Sequence, residues 1–354
     1  MGIALSSEVV RLPYRQPFRI ARAHGGEGMS SMVVELRHDA WPGLVGLGEG
    51  YPDAYYGETL ETIAVVLPLL LASIEAEALE GVSSETAGSF LASLGDGFNA
   101  VIAHHGAAKC ALDTAVHDLV GKRLGLPLHR LLGMSAEIAP TDFTIGLDEP
   151  AVVAERAARA SHFPALKIKV GGPADLETLE AVRRVFGGPI RVDANTAWTP
   201  EQGAGLIADL VRLGVELIEQ PFPAHRLDQL AWLQERSELP LVADESAVTI
   251  EDLEGLVGVV GGVNVKLAKC GGPGPALRML ARARELGFKT FLGCMEETSL
   301  GIAASAHVAA QVDWIDLDGC LLIAGDPFEG LDLGPDCRWQ LSSEPGLGIR
   351  RRPA

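Results

Sequence analysis

The chain has 354 residues, 47% of them apolar and 21% charged, with a formal net charge of −18. It is long enough to bury the core of one large domain and a smaller one. The negative balance argues against nucleic acid or an anionic membrane surface as a partner, since both would repel it, but leaves the charge of a small substrate open.

Five scattered cysteines, Cys110, Cys270, Cys294, Cys320 and Cys337, form no CxxC pair. Odd in number, they read as reduced thiols, with neither a disulfide framework nor a zinc site. The longest apolar run, Ala64–Ala72, carries Pro68 and is too short to span a bilayer. No signal-peptide pattern opens the chain, and a formal myristoylation match at Met1–Ser6 runs straight into strand-like sequence. The expected compartment is the cytoplasm.

Residues 1–130 begin with strand-like segments such as Ser31–Arg37 and end in helical ones such as Ala107–Val120, which predicts an α+β unit. The Gly46–Gly50 cluster reads as a turn in that unit. His104 and His105 fall at a helix start with no flanking carboxylate, and are read as structural.

Over residues 131–322 the texture becomes a rhythm. Eight apolar strands are predicted at Asp142–Gly146, Ala165–Val170, Pro189–Asp193, Glu216–Gln220, Pro240–Asp244, Gly262–Leu267, Lys289–Gly293 and Trp314–Asp318. Amphipathic stretches such as Asp175–Phe186, Pro200–Leu213 and Pro275–Leu286 separate them. A repeat of about 25 residues predicts a closed parallel (β/α) barrel behind an N-terminal α+β cap. An open doubly wound sheet is the alternative, weakened because no GxGxxG turn follows the first strand. Residues 323–354 break the rhythm and are expected to fold back onto the cap.

Charge then appears where barrel strands should be apolar. The second strand ends Lys167-Ile168-Lys169, the third Asp193-Ala194-Asn195, the fourth Glu219-Gln220 and the fifth Asp244-Glu245. The sixth carries Lys266, and the eighth ends Asp316-Leu317-Asp318. All lie at C-terminal strand ends, the face on which such barrels place their chemistry. A single strand-end Asp is more often a helix cap, but six coordinated positions are not explained that way. Three carboxylates converging on one mouth, Asp193, Glu219 and Asp244, repel each other unless a cation sits between them. An oxygen-only donor set suits Mg²⁺. Lysines beside such a site make sense for proton removal next to a carboxylate. Lys167 and the metal can then draw Lys169 towards neutrality, and both Lys169 and Lys266 must be poised near neutral pKa.

With these residues in view, the chain resembles the muconate-lactonizing subgroup of the enolase superfamily over nearly its whole length. The Lys167/Lys169 pair, the Asp193, Glu219, Asp244 set and Lys266 within Asn264–Gly272 carry the match. A Lys base combined with Mg²⁺ is a known pattern of enolase-type sites, not a deduction from spacing. The resemblance implies Lys169 and Lys266 on opposite faces of a substrate, with Asn195 and Glu245 supporting the ligands. Within the subgroup it is most similar to dipeptide epimerases, in which the DxD pair, here Asp316 and Asp318, binds the α-ammonium of the dipeptide. An ammonium leaving water needs anionic acceptors. Pro17–Arg22 resembles the start of a mobile cap loop, so Phe18 and Arg22, with Met295 and Glu296, are candidate substrate contacts. Arg22 is the last Lys or Arg before Arg37, so the match does not extend to a glutamate preference; Glu296 could favour a cationic side chain. Lys269 is read as a structural cation.

Alternatives are another enzyme of the subgroup (o-succinylbenzoate synthase, N-succinylamino acid racemase or a cycloisomerase), which needs no DxD, and a silent binding barrel, which would show a broken catalytic position. The sequence leaves side-chain preference and assembly, homo-oligomer included, open.

Overall fold

The computed structural model describes residues 2–353, apart from the side chains of residues 23–25. The chain opens with two long strands, β1 (Ile3–Ile20) and β2 (Ala23–His38), paired antiparallel from Ile3 opposite His38 to Ile20 opposite Ala23. The ladder slips between Pro13 and Phe18, a stretch that includes Pro17, which has no N–H to give. Ala21 and Arg22 form the hairpin tip. The segment expected as the start of a loop is therefore mostly strand.

β3 (Gly46–Gly50) pairs with β2 and is a strand throughout, not the expected turn. Its glycines serve packing. A Cβ on Gly46, Gly48 or Gly50 would come within 2.1, 1.9 or 2.3 Å of the carbonyl oxygens of Ala115, Ala111 and Ala107. Positions two apart on one strand face thus meet positions four apart on the helix Gly106–Leu124 at backbone contact. That helix is buried on all sides from Ala107 to Gly121. Glu58 receives its Ala107 N–H at 3.2 Å, placing a carboxylate at the positive helix end.

The barrel strands are β4 (Phe143–Ile145), β5 (Leu166–Lys169), β6 (Ile190–Asp193), β7 (Val215–Glu219), β8 (Leu241–Ala243), β9 (Gly262–Val265), β10 (Lys289–Gly293) and β11 (Trp314–Asp316). Each is parallel to the next. The Asp142 N–H reaches Ile315 O at 3.2 Å and closes the ring, which rules out the open sheet. Helices return each strand, several entered by a proline whose missing N–H costs nothing there: Pro150, Pro200 and Pro273.

The apolar interior divides into a cap core around Leu67, Leu70, Leu112 and Val116 and a barrel core around Ile168, Val192, Ile218 and Val265. The C-terminal segment touches both units. Leu347 N–H donates to Asp118 and Leu128 N–H to Gly346 O on the cap side, while Trp339 Nε1 donates to Leu317 O on the barrel. All five cysteines are free, and no helix among the described residues is long and apolar enough to cross a membrane.

Candidate active site

Parallel register sets the charged strand ends side by side. Lys169 lies opposite Asp193, and Asp193 opposite Glu219. Lys167, 1% exposed, points inward and touches three carboxylates: Asp316 at 2.7 Å, Glu219 at 2.9 Å and Asp193 at 3.3 Å. Lys169 Nζ donates to Asp193 at 2.6 Å, and Lys266 Nζ to Asp244 at 2.9 Å. Lys169 and Lys266 line one inner cavity of about 60 Å³, together with Phe18, Arg22, Lys167, Asn195, Met295, Glu296, Asp316 and Asp318. Asp193, Glu219 and Asp244 do not line this cavity but contact Lys169, Lys167 and Lys266 respectively. An outer cavity of about 610 Å³ shares Phe18, Arg22, Asp53 and Glu296 with it and adds Tyr14, Tyr51, Tyr55 and Thr196.

Backbone strain marks these strand ends. Asn195, Thr196 and Gln220 have φ of 41°, 71° and 33°, a region that costs non-glycine residues of order 1–3 kcal/mol each. Gln220, which no sequence signal singled out, is held there by four hydrogen bonds. Its amide donates to Phe222 O and Ser246 Oγ, and its oxygen accepts from the N–H groups of Asp244 and Ser246. The side chain thereby positions Asp244 across the gap between β7 and β8. Asn264 was quoted only as part of a motif, yet it donates to Glu219 at 2.7 Å. Lys269 donates to Asp244 Oδ1 at 2.5 Å and to three backbone carbonyls, those of Asp244, Ala247 and Asn264. His104 and His105 line a different cavity, between cap and barrel.

Electrostatics separates the carboxylates. Burial pushes Asp193 and Asp244 up, but Lys169 and Lys167 hold the first below its ordinary value, and Lys266 with Lys269 holds the second well below. Glu219 is pushed up to about 7 by burial and then by the charge of Asp193. Lys266 departs from the expected neutral poise. Burial pulls it down, but Asp244 beside it more than offsets that and leaves it raised.

The cation expectation can be tested on the residues themselves. Among the described residues no trio of Asp, Glu, His or Cys stands as a ready cage; Lys167 occupies the space between Asp193 and Glu219. The donor set still fits a hard divalent ion. It is all oxygen, and the mutual repulsion that raises Glu219 is what such an ion relieves.

Two further groups frame the cavity. Thr144 ties the DxD pair together: its hydroxyl donates to Asp316 at 3.1 Å and its N–H to Asp318 at 2.5 Å. Burial and then the Asp316 charge push Asp318 up to about 8, while Lys167 overcomes burial and keeps Asp316 below its ordinary range. From the cap, Arg22 pairs with Glu245 and with Asp53 at 3.0 Å, and its guanidinium lies 4.6 Å from the Tyr55 ring centre. Arg22 is thus already paired by the protein, and Asn195 Nδ2 reaches the same Glu245 oxygen at 3.4 Å. Tyr14 and Tyr51 line the outer cavity with Glu296, and burial and then the Glu296 charge push both phenols up.

Comparison with known proteins agrees with this geometry. Residues 5–133 match the mandelate racemase/muconate lactonizing enzyme N-terminal domain, and residues 151–354 the enolase C-terminal domain-like family. The chain is 38% identical to an L-Ala-D/L-Glu epimerase of Bacteroides thetaiotaomicron, covering 99% of this chain and 89% of that one. It is 35% identical to an L-Lys-D/L-Arg epimerase of Methylococcus capsulatus, covering 95% of each. Among solved structures, a dipeptide epimerase of Enterococcus faecalis complexed with Mg and L-Leu-L-Tyr superposes with a TM-score of 0.88 at 33% identity, covering 99% of both chains. The chain therefore belongs to the mandelate racemase/muconate lactonizing enzyme family of the enolase superfamily and, within it, to the dipeptide epimerases.

Proposed function

We propose that Lys169 and Lys266 invert the α-carbon of the C-terminal residue of a dipeptide by removing a proton on one face and delivering it on the other. The carrying observation is that both ammonium groups line one cavity from β5 and β9, four strands apart in a ring of eight. A side chain fixed on one strand cannot serve both faces. General acid–base assistance of this kind is worth ~10²–10⁴-fold.

Asp193, Glu219 and Asp244 are the residues that would hold Mg²⁺, which when bound offsets the charge on the substrate carboxylate as the α-proton leaves and an enediolate forms. Lys167 holds Asp193, Glu219 and Asp316 in one arrangement. Asp316 and Asp318 accept the substrate's α-ammonium, with Thr144 fixing their geometry. Phe18 and Met295 wall the side-chain path, Arg22 closes it, and Asn195 and Glu245 brace its floor. Glu296 faces the outer cavity, and among the described residues no Lys, Arg or His pairs with it, which supports a cationic or hydrogen-bond-donating side chain on the reacting residue. The relative from Methylococcus capsulatus, named for Lys and Arg, points the same way.

Lys169→Ala and Lys266→Ala are the test. Each should abolish epimerisation, while each retains exchange of the α-proton of only one diastereomer in D₂O, followed by mass spectrometry. Full epimerisation by either variant would refute the two-base assignment.

A further inference from the structure

The two faces of the cap sheet look at different units. On β2, Met32, Val34 and Leu36 pack into the cap core, while Val33 between them packs into the barrel core, as does Leu47 on β3. Gly46, Gly48 and Gly50 press on the buried cap helix, so strand alternation turns Leu47 and Glu49 the other way, towards the barrel. Glu49 is thus a carboxylate set into an otherwise apolar seam, 1% exposed.

A buried carboxylate needs donors, and those of Glu49 come mostly from the barrel. Ser31 Oγ, on the neighbouring cap strand, donates to it at 2.6 Å. Thr298 Oγ1 donates at 2.5 Å, Thr298 N–H at 3.2 Å and Gly301 N–H at 3.0 Å. Thr298 caps the helix Ser299–Ala306, and its hydroxyl oxygen also accepts the Leu300 N–H at 3.2 Å. A cap residue therefore closes the first turn of a barrel helix, at the end where the helix dipole favours an anion.

The segment just ahead of that turn gives the contact its consequence. Cys294–Thr298 joins β10 to the helix and carries Met295 and Glu296 into the inner cavity. One end is fixed by the barrel ladder, where Gly293 lies opposite Asp316. The other end is held by Glu49. Between them Glu297 turns back to accept the Met295 N–H at 3.2 Å, and a Cβ on Gly319 would come within 2.3 Å of Met295 O.

We propose that Glu49 is a positioning residue for substrate discrimination: a cap carboxylate that fixes the barrel segment Cys294–Thr298 and, with it, the place of Glu296 in the cavity. The inference rests on reading Glu296 as a substrate contact.

Glu49→Gln keeps the side-chain shape but leaves one edge unable to accept, Thr298→Val removes the hydroxyl, and Thr298→Ser keeps it. In hydrogen-exchange mass spectrometry of the full chain, the Met295–Gly301 amides should exchange about tenfold or more faster in Glu49→Gln and Thr298→Val, the scale of losing a hydrogen bond to a buried charge. Thr298→Ser should match the parent, and peptides covering β5 and β6 should be unchanged in all three. The same two loosened variants should lower kcat/KM for dipeptides ending in Lys or Arg relative to those ending in Leu or Tyr by about threefold, within the worth of a partly solvated pair. That loss should lie in KM and vanish in a Glu296→Leu background, because effects passing through one group do not add. Should Glu49→Gln fold poorly, Thr298→Val, which leaves the carboxylate and its Gly301 contact, carries both measurements. Unchanged exchange over Met295–Gly301, or a shift in substrate ratio that persists in full without Glu296, would overturn the proposal. Failure of the underlying reading looks different: Glu296→Leu alone would leave the ratio unmoved while Glu49→Gln still loosened the segment, and the role in discrimination would fall with it.

Discussion

The barrel mouth and the cap reach the same cavity by different physical routes. The barrel supplies one charged side chain per strand end, each fixed by a buried ladder; the Asp193 and Glu219 side chains are 0% exposed. The cap supplies Arg22 from a hairpin tip and Asp53 from the turn ahead of a short helix, and their side chains are 20% and 22% exposed. Charges held dry on a rigid frame interact strongly and stay in place, whereas half-wet pairs are weaker and exchange partners readily. The proton chemistry is accordingly proposed for the barrel, and discrimination among side chains for the cap together with Glu296, on the loop after β10.

The largest expected effect tests the barrel half. Asp244→Asn keeps the side-chain shape and an acceptor for Lys269 but removes a charge from the carboxylate set. Activity should fall by ~10²–10³-fold or more, the scale of a lost electrostatic element in a dry site, with the circular dichroism spectrum retained. Titration calorimetry should show weakened Mg²⁺ binding, and unchanged affinity would remove Asp244 from the ligand set.

Gly48→Ala probes the cap without touching its charges. The added Cβ would meet Ala111 O at 1.9 Å, and since backbone cannot step aside cheaply the cost should be about 1–3 kcal/mol or more. The denaturation midpoint should drop while kcat per folded molecule is kept. An unchanged midpoint would show that β3 and the buried helix are not in the contact described.

Arg22→Ala opens the tie between the hairpin tip and the barrel. The pair with Glu245 is buried on one side only, so after allowance for solvent the expected loss is ~1–2 kcal/mol, about tenfold in kcat/KM. A loss carried mainly by KM would place Arg22 in closure over the substrate; a loss carried wholly by kcat would place it with the chemistry and weaken the division between cap and barrel.

The same division explains how much could be read from the sequence. The barrel was legible because a repeated strand–helix unit sets both the fold and the positions of Lys167, Lys169, Asp193, Glu219, Asp244, Lys266, Asp316 and Asp318. Groups acting across strands left no such mark. Gln220 and Thr144 are ordinary polar residues whose cross-strand partners lie 24 or more positions away. Asp142 precedes its strand and looked like part of it. The Gly46–Gly50 cluster misled because glycines that admit a helix and glycines that make a turn look alike in one dimension. Lys266 shows the other limit. Its position was readable, but the balance between burial and Asp244 that sets its proton affinity needed coordinates.

The smallest expected effect is the sharpest on specificity. Glu296 lines both the inner and the outer cavity, the outer one together with Tyr14 and Tyr51. Asp53 is already paired with Arg22, so Glu296 is the carboxylate left for an incoming side chain, within aromatic walls that also suit a cation. A partly solvated pair is worth up to about 1 kcal/mol, or roughly fivefold. Glu296→Leu should therefore lower kcat/KM for dipeptides ending in Lys or Arg by about that factor relative to those ending in Leu or Tyr, with kcat on the apolar substrates unchanged. Tyr51→Phe leaves the carboxylate but removes a phenol hydroxyl from the same cavity, and should move the ratio less and in the same direction. An unchanged ranking across a dipeptide panel for both variants would take this chain of groups out of the specificity pocket and leave the choice of side chain to the hairpin tip.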